Sequence, residues 1–148
     1  MVRSVKIVYL LMLGCPCPMT LADAKGSSPE HFEAAPGAMA ECWAESSNRM
    51  EVRPCLVAKQ KVADAALTET TSRMENKTHE LDAITTADHD VKQRFLSAQK
   101  AFFQYINANC RWHAVMFASG TGAGDAYQAC LVDLRRARIA EIRKALGK

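Results

Sequence analysis

The sequence predicts an all-α fold, a small antiparallel bundle of about three main helices stapled by disulfides. Three observations carry this. Apolar residues recur at alternating steps of four and three over two long stretches, and no strand pattern of comparable length appears. Four cysteines, an even number, remain once an export leader is set aside.

The leader comes first in the chain. Arg3 and Lys6 precede an apolar run at residues 7–13, and Ala22-Asp23-Ala24 supplies the small-x-small pattern that a signal peptidase needs. Residues 1–24 are expected to be a signal peptide, cleaved near Ala24, which would deliver the protein to the periplasm or the exterior. Met12-Leu13-Gly14-Cys15 offers a second reading, acylation of Cys15 to give an anchored lipoprotein, but its leading positions fit poorly and Pro16 follows awkwardly. The apolar run is far shorter than the roughly 20 residues that cross a bilayer, and no later stretch is longer, so no transmembrane segment is expected.

Removing residues 1–24 takes away Arg3, Lys6 and Asp23, which leaves 17 basic and 15 acidic side chains. A net charge of +2 with no concentrated basic face argues against nucleic-acid binding. Cys15 and Cys17 leave with the leader, and Cys42, Cys55, Cys110 and Cys130 stay. In an oxidising compartment these form two disulfides in one of three pairings. Cys42–Cys55 and Cys110–Cys130 are favoured because each closes a short loop around turn residues; bridges from the first pair to the second remain open.

Residues 25–40 mix Gly, Ser, Pro and Ala without an apolar period, so a flexible leader is expected there. Cys42 pins a short helix or turn carrying Trp43 and Met50, and Pro54 suits the first turn of the next helix. From Leu56 the seam runs Leu56, Gln60, Ala63, Leu67, Thr70, Met74, Lys77, Leu81. Thr85 or Thr86 can cap a second helix, with Asp88 and Asp90 complementing its amino-terminal dipole. Its stripe, Val91, Phe95, Ala98, Phe102, Tyr105, Asn109 and Trp112, reads as core packed against the first helix. The glycines of residues 116–124 (MFASGTGAG) end that helix in a loop. Asp125 can cap a last helix, where Leu131, Leu134, Ile139, Ile142 and Leu146 make the apolar stripe and Arg135, Arg136, Arg138, Arg143 and Lys144 a solvated basic face.

Several of these residues carry a family resemblance. Gln99-Lys100-Ala101-Phe102-Phe103-Gln104-Tyr105, then Cys110, the Gly-rich loop, Cys130, and Arg138 with Glu141, resemble the lysozyme inhibitor LprI-like family, whose pattern is Q-x-x-W-x-x-Y-R, cysteine, Gly-Gly loop, cysteine, T-x-x-R-x-x-E-L. Upstream, Cys42, Cys55, Asp64 and Leu67 match its paired cysteines and its D-x-x-L-N-x-x-Y pattern. The chain departs from the family where Phe102 stands for Trp, Ile106 for Arg, Thr68 and Thr71 for Asn and Tyr, and Arg135 for Thr. The resemblance implies a helical, disulfide-bonded exported domain over residues 41–148, with lysozyme inhibition attributed to the namesake.

An inhibitor must occlude an open cleft that holds two carboxylates. The candidate element is Ser119, Gly120, Thr121, Gly122 and Gly124, which would be preorganised by a Cys110–Cys130 brace; residues of this kind also make plain connections. Basic lysozymes would not be drawn at long range to a chain of charge +2. An acidic patch of Glu75, Glu80, Asp82, Asp88 and Asp90 is the local alternative, though such charges also solvate helix ends. Cys110 with His113 and Cys130 could hold zinc, but no second close ligand pair exists and disulfides are favoured. No Ser elbow, Cys-x-x-Cys, H-E-x-x-H or phosphate loop occurs, so no enzyme, metal or cofactor is expected. The expected partner is a protein, lysozyme or another wall-degrading hydrolase. The competing reading is an envelope assembly or stress factor that binds a membrane or wall component through the basic last helix.

Overall fold

The computed structural model describes residues 37–84, 90–117, 120 and 122–147. The expected signal peptide, most of the expected leader, and Thr85, Thr86 and Asp88 lie outside them. Four helices follow in order: α1 (Ala38–Glu45), α2 (Arg49–Ile84), α3 (Val91–Met116) and α4 (Ala123–Ala145). Among the described residues there is no strand, and the fold is all-α as expected.

Helix α1 corrects the expected extent of the leader. It begins at Ala38, whose side chain is fully buried and whose N–H donates to Asp133 Oδ1 of α4 at 2.8 Å. Eight residues do not hold a helix alone in water. The Cys42–Cys55 disulfide, Cα atoms 5.7 Å apart, ties α1 to α2.

Helix α2 starts earlier than expected. Asn48 Oδ1 accepts the Met50 N–H at 2.9 Å, and Glu51 reaches back to the Ser47 N–H at 2.8 Å. This is a reciprocal amino-terminal cap. Pro54 therefore lies inside the helix rather than in its first turn. The carbonyl that loses its bond to Pro54 belongs to Met50, a residue 84 % exposed. The seam is as expected at Leu56, Ala63, Leu67, Thr70 and Met74, then shifts by one, with Thr78 buried in place of Lys77. The buried hydroxyls are satisfied within the helix: Thr70 donates to the Ala66 carbonyl and Thr78 to that of Glu75.

On α3 the buried face is Gln99, Ile106 and Cys110, with Phe95 and Phe102 partly buried. The expected core stripe is corrected here: Tyr105 and Trp112 are 55 % and 57 % exposed. Register follows from the cross-contacts. Cys110 meets Cys130 and Gln99 meets Arg138, so α3 runs counter to α4. Three clusters make the core. Val52, Leu56, Ala129 and Val132 with Ala38 and Cys42 join α1, α2 and α4. Leu67, Met74, Ile139 and Ile142 join α2 to α4 beneath Phe95 and Phe102, and Ile106, Cys110 and Leu131 join α3 to α4.

Candidate functional site

The connection from α3 to α4 is held at both feet. Phe117 closes α3 by donating its N–H to the carbonyls of Ala114 and Val115. The Gly120 N–H bonds the Phe117 carbonyl at 3.0 Å, and the Ala123 N–H bonds that of Gly120 at 3.2 Å. The glycines thus stand in successive turns rather than in an open loop; Ser119 and Thr121 lie outside the described residues. One foot is the Cys110–Cys130 disulfide, with Cα atoms 5.5 Å apart. Both sulfurs are therefore engaged, and neither is a zinc ligand.

The other foot was not foreseen. Asp125, expected to cap α4, is buried in its first turn and receives Arg53 Nε of α2 at 2.9 Å, while Gly122 holds the cap position. Gly124 is also corrected, since it belongs to α4 and not to the loop. A Cβ at Gly124 would come within 2.5 Å of Arg53 Nη2, so glycine there lets the α2 guanidinium cross the start of α4.

A second constellation crosses the middle of the bundle and gathers most of the family-motif positions. Gln99, buried on α3, donates through Nε2 to Thr71 Oγ1 of α2 at 2.8 Å. Its Oε1 accepts from Arg138 Nε of α4 at 2.7 Å. Arg138 also bonds Glu141 at 2.7 Å and lies 5.6 Å from the centre of the Phe102 ring. Two turns up α2 from Thr71, Asp64 pairs with Arg135. Two positions at which the chain departs from the family pattern, Thr71 and Arg135, thus supply partners to two that it keeps, Gln99 and Asp64. Leu67 is core, and Tyr105 stands apart on the outer side of α3. From Gln99 to the end of α3 is about 25 Å at the helical rise, so this crossing braces the helices and does not line the connection.

The basic face of α4 is also corrected. Arg136 makes a two-pronged bond to Glu41 of α1 at 2.6 and 3.0 Å, and Lys59 of α2 joins the same carboxylate at 3.0 Å. Hydrogen bonding from Arg136, with Lys59 assisting, outweighs desolvation and holds the Glu41 carboxyl down at about 2. Arg135, Arg136 and Arg138 are therefore internal fasteners. Arg143 and Lys144, in the last turn, keep the expected exposed character, and Arg136 stays exposed while holding Glu41. Of the acidic patch, Asp82 has a structural role, accepting the Val91 and Lys92 N–H groups at 2.8 and 3.0 Å. None of the described helices is long and apolar enough to cross a membrane.

Sequence signals existed for part of what was missed. Asn48-x-x-Glu51 is a helix-start pattern, whereas nothing local in the sequence announces that Arg53 meets Asp125. No curated protein and no solved structure matches the chain. The family described as Lysozyme inhibitor LprI matches residues 37–142, a span that takes in both disulfides, the braced connection and the polar crossing. Since that span is well over half of the sequence, the chain belongs to the lysozyme inhibitor LprI family.

Proposed function

We propose that this chain is an exported binding protein that inhibits lysozyme, or a related wall-degrading hydrolase, by occluding the substrate cleft, without chemistry or cofactor of its own. The family match carries the reading. The braced connection supports it: a segment anchored by a disulfide and by the ion pair of an exposed Arg53 with the buried Asp125 loses little conformational freedom on binding. Gly120 and Gly122, with Ser119 and Thr121 beside them and Gly124 at the foot, are the candidate contacts. The competing reading through the basic last helix has less to stand on, because three of its five cations have partners inside the fold.

The test is turnover of peptidoglycan by several lysozymes with and without the purified, oxidised protein. Saturable inhibition, weakened when Gly120 and Gly122 are replaced, is expected. Undiminished turnover by every lysozyme class at micromolar protein would refute the reading.

A further inference from the structure

The outer side of α3 holds apolar surface that nothing in the described fold covers. With Gln99, Ile106 and Cys110 facing inward, Tyr105, Ala108, Trp112 and Val115 fall along the opposite side at spacings of three and four, and all are exposed. Val115 is 73 % exposed, and Met116 and Phe117 continue the surface into the connection. Tyrosine and tryptophan displayed to water on a rigid, disulfide-braced helix are the side chains that anchor protein interfaces.

Charge says what can sit there. From Val91 through Gly124 the sequence contains no aspartate or glutamate, while Lys92, Arg94, Lys100 and Arg111 give that stretch a formal charge of +4. The remaining residues bring the whole chain to only +3; of the four cations, Lys100 and Arg111 lie within about 12 Å of Ala108 along the helix, and α3 itself carries no carboxylate. A partner surface bearing carboxylates meets no like charge on this face, and unpaired like charges across an interface would be costly. The cleft of a glycoside hydrolase is such a surface, with two carboxylates at its centre.

Resting on the proposed inhibitory function, we infer that the outer face of α3, centred on Tyr105, Ala108 and Trp112, is the principal docking surface for the carboxylate-lined cleft of the target hydrolase, with Met116 and Phe117 at its edge. Trp112 and Tyr105 supply the apolar contacts. Lys100 and Arg111 flank them as cations for the cleft carboxylates.

The test compares the inhibition constants of Trp112→Ala, Tyr105→Ala, Ala108→Glu and Ala108→Lys against a susceptible lysozyme, with thermal unfolding followed by circular dichroism to confirm that each variant is folded. All three sites are exposed, so the melting temperature is expected to hold. Trp112→Ala and Ala108→Glu are each expected to weaken inhibition at least tenfold, and Ala108→Lys, similar in length but opposite in charge, much less. Wild-type potency in both Trp112→Ala and Ala108→Glu overturns the inference and leaves the inhibitory reading standing. Failure of the unaltered protein to inhibit any lysozyme overturns both. Co-sedimentation with insoluble peptidoglycan, with inhibition relieved by excess wall, overturns it in favour of a polysaccharide occupant. A dimer dissociated by Trp112→Ala with inhibition intact overturns it in favour of a second copy.

Discussion

At the scale of single residues, Glu41 shows how the fold uses charge. Its carboxylate lies between Arg136 and Lys59, and Lys59 also holds Glu45 at 2.9 Å, so four side chains from three helices share one network. The carboxyl titrates at about 2 in the fold against an ordinary 4.5. A carboxyl with a depressed pKa stabilises the fold fully above its unfolded value, and that contribution is lost as pH falls from about 4.5 through about 2. Glu41→Gln is therefore expected to be less stable than the parent near neutrality and to lose less stability on acidification across that window. Urea midpoints at several pH values between 2 and 6 check this, and parallel pH curves for the two proteins would contradict it. None of this network was legible beforehand, because an ion pair between residues 95 apart in sequence depends on how helices are placed. Gln99 differs. A polar residue on a helix that packs invites a partner across the bundle, and the structure supplies two, yet sequence alone could not name Thr71 and Arg138.

At the scale of elements, α3 carries the clearest lesson. It has apolar residues on two sides, Phe95, Phe102 and Ile106 on one and Tyr105, Trp112 and Val115 on the other, and periodicity alone cannot say which is buried. The disulfide decides. Cys110 must face Cys130, and stepping back by four, eight and eleven residues turns Ile106, Phe102 and Gln99 inward and Tyr105 outward. Combining the cysteine pairing with the helical period would have placed the stripe correctly. The start of α3 has its own device. Asp90 sits at the cap position with φ of 48° and makes no side-chain cap bond, and Asp82 from the last turn of α2 takes the first two N–H groups instead. Asp82→Ala is expected to cost about 1 kcal/mol, the usual worth of an amino-terminal cap. Hydrogen exchange of the Val91 and Lys92 amides should quicken more than that of the Ile106 amide. Equal protection in parent and variant would show that the α2–α3 corner does not rely on this carboxylate.

At the scale of the molecule, the two disulfides act on different problems. Cys42–Cys55 retains a short helix that could not stand alone, whereas Cys110–Cys130 joins two long helices that already pack through Ile106, Leu131 and Phe102. The second bridge therefore contributes chiefly by restricting the unfolded chain and by fixing the α3–α4 connection. A separation of 20 residues gives about 3 kcal/mol on the chain-entropy view, and removal of such bridges from small exported domains costs about 2–5 kcal/mol. The Cys110→Ser, Cys130→Ser double variant should show that loss in urea titration while keeping its helical circular dichroism at low temperature, because the core clusters survive. Replacing both cysteines avoids leaving a lone thiol that could cross-link. If the connection works by preorganisation, the same variant, assayed cold where it is fully folded, should also inhibit lysozyme more weakly than the parent. Full potency with reduced stability would assign the bridge to folding alone, and would leave the outer face of α3 as the part of the molecule on which inhibition depends.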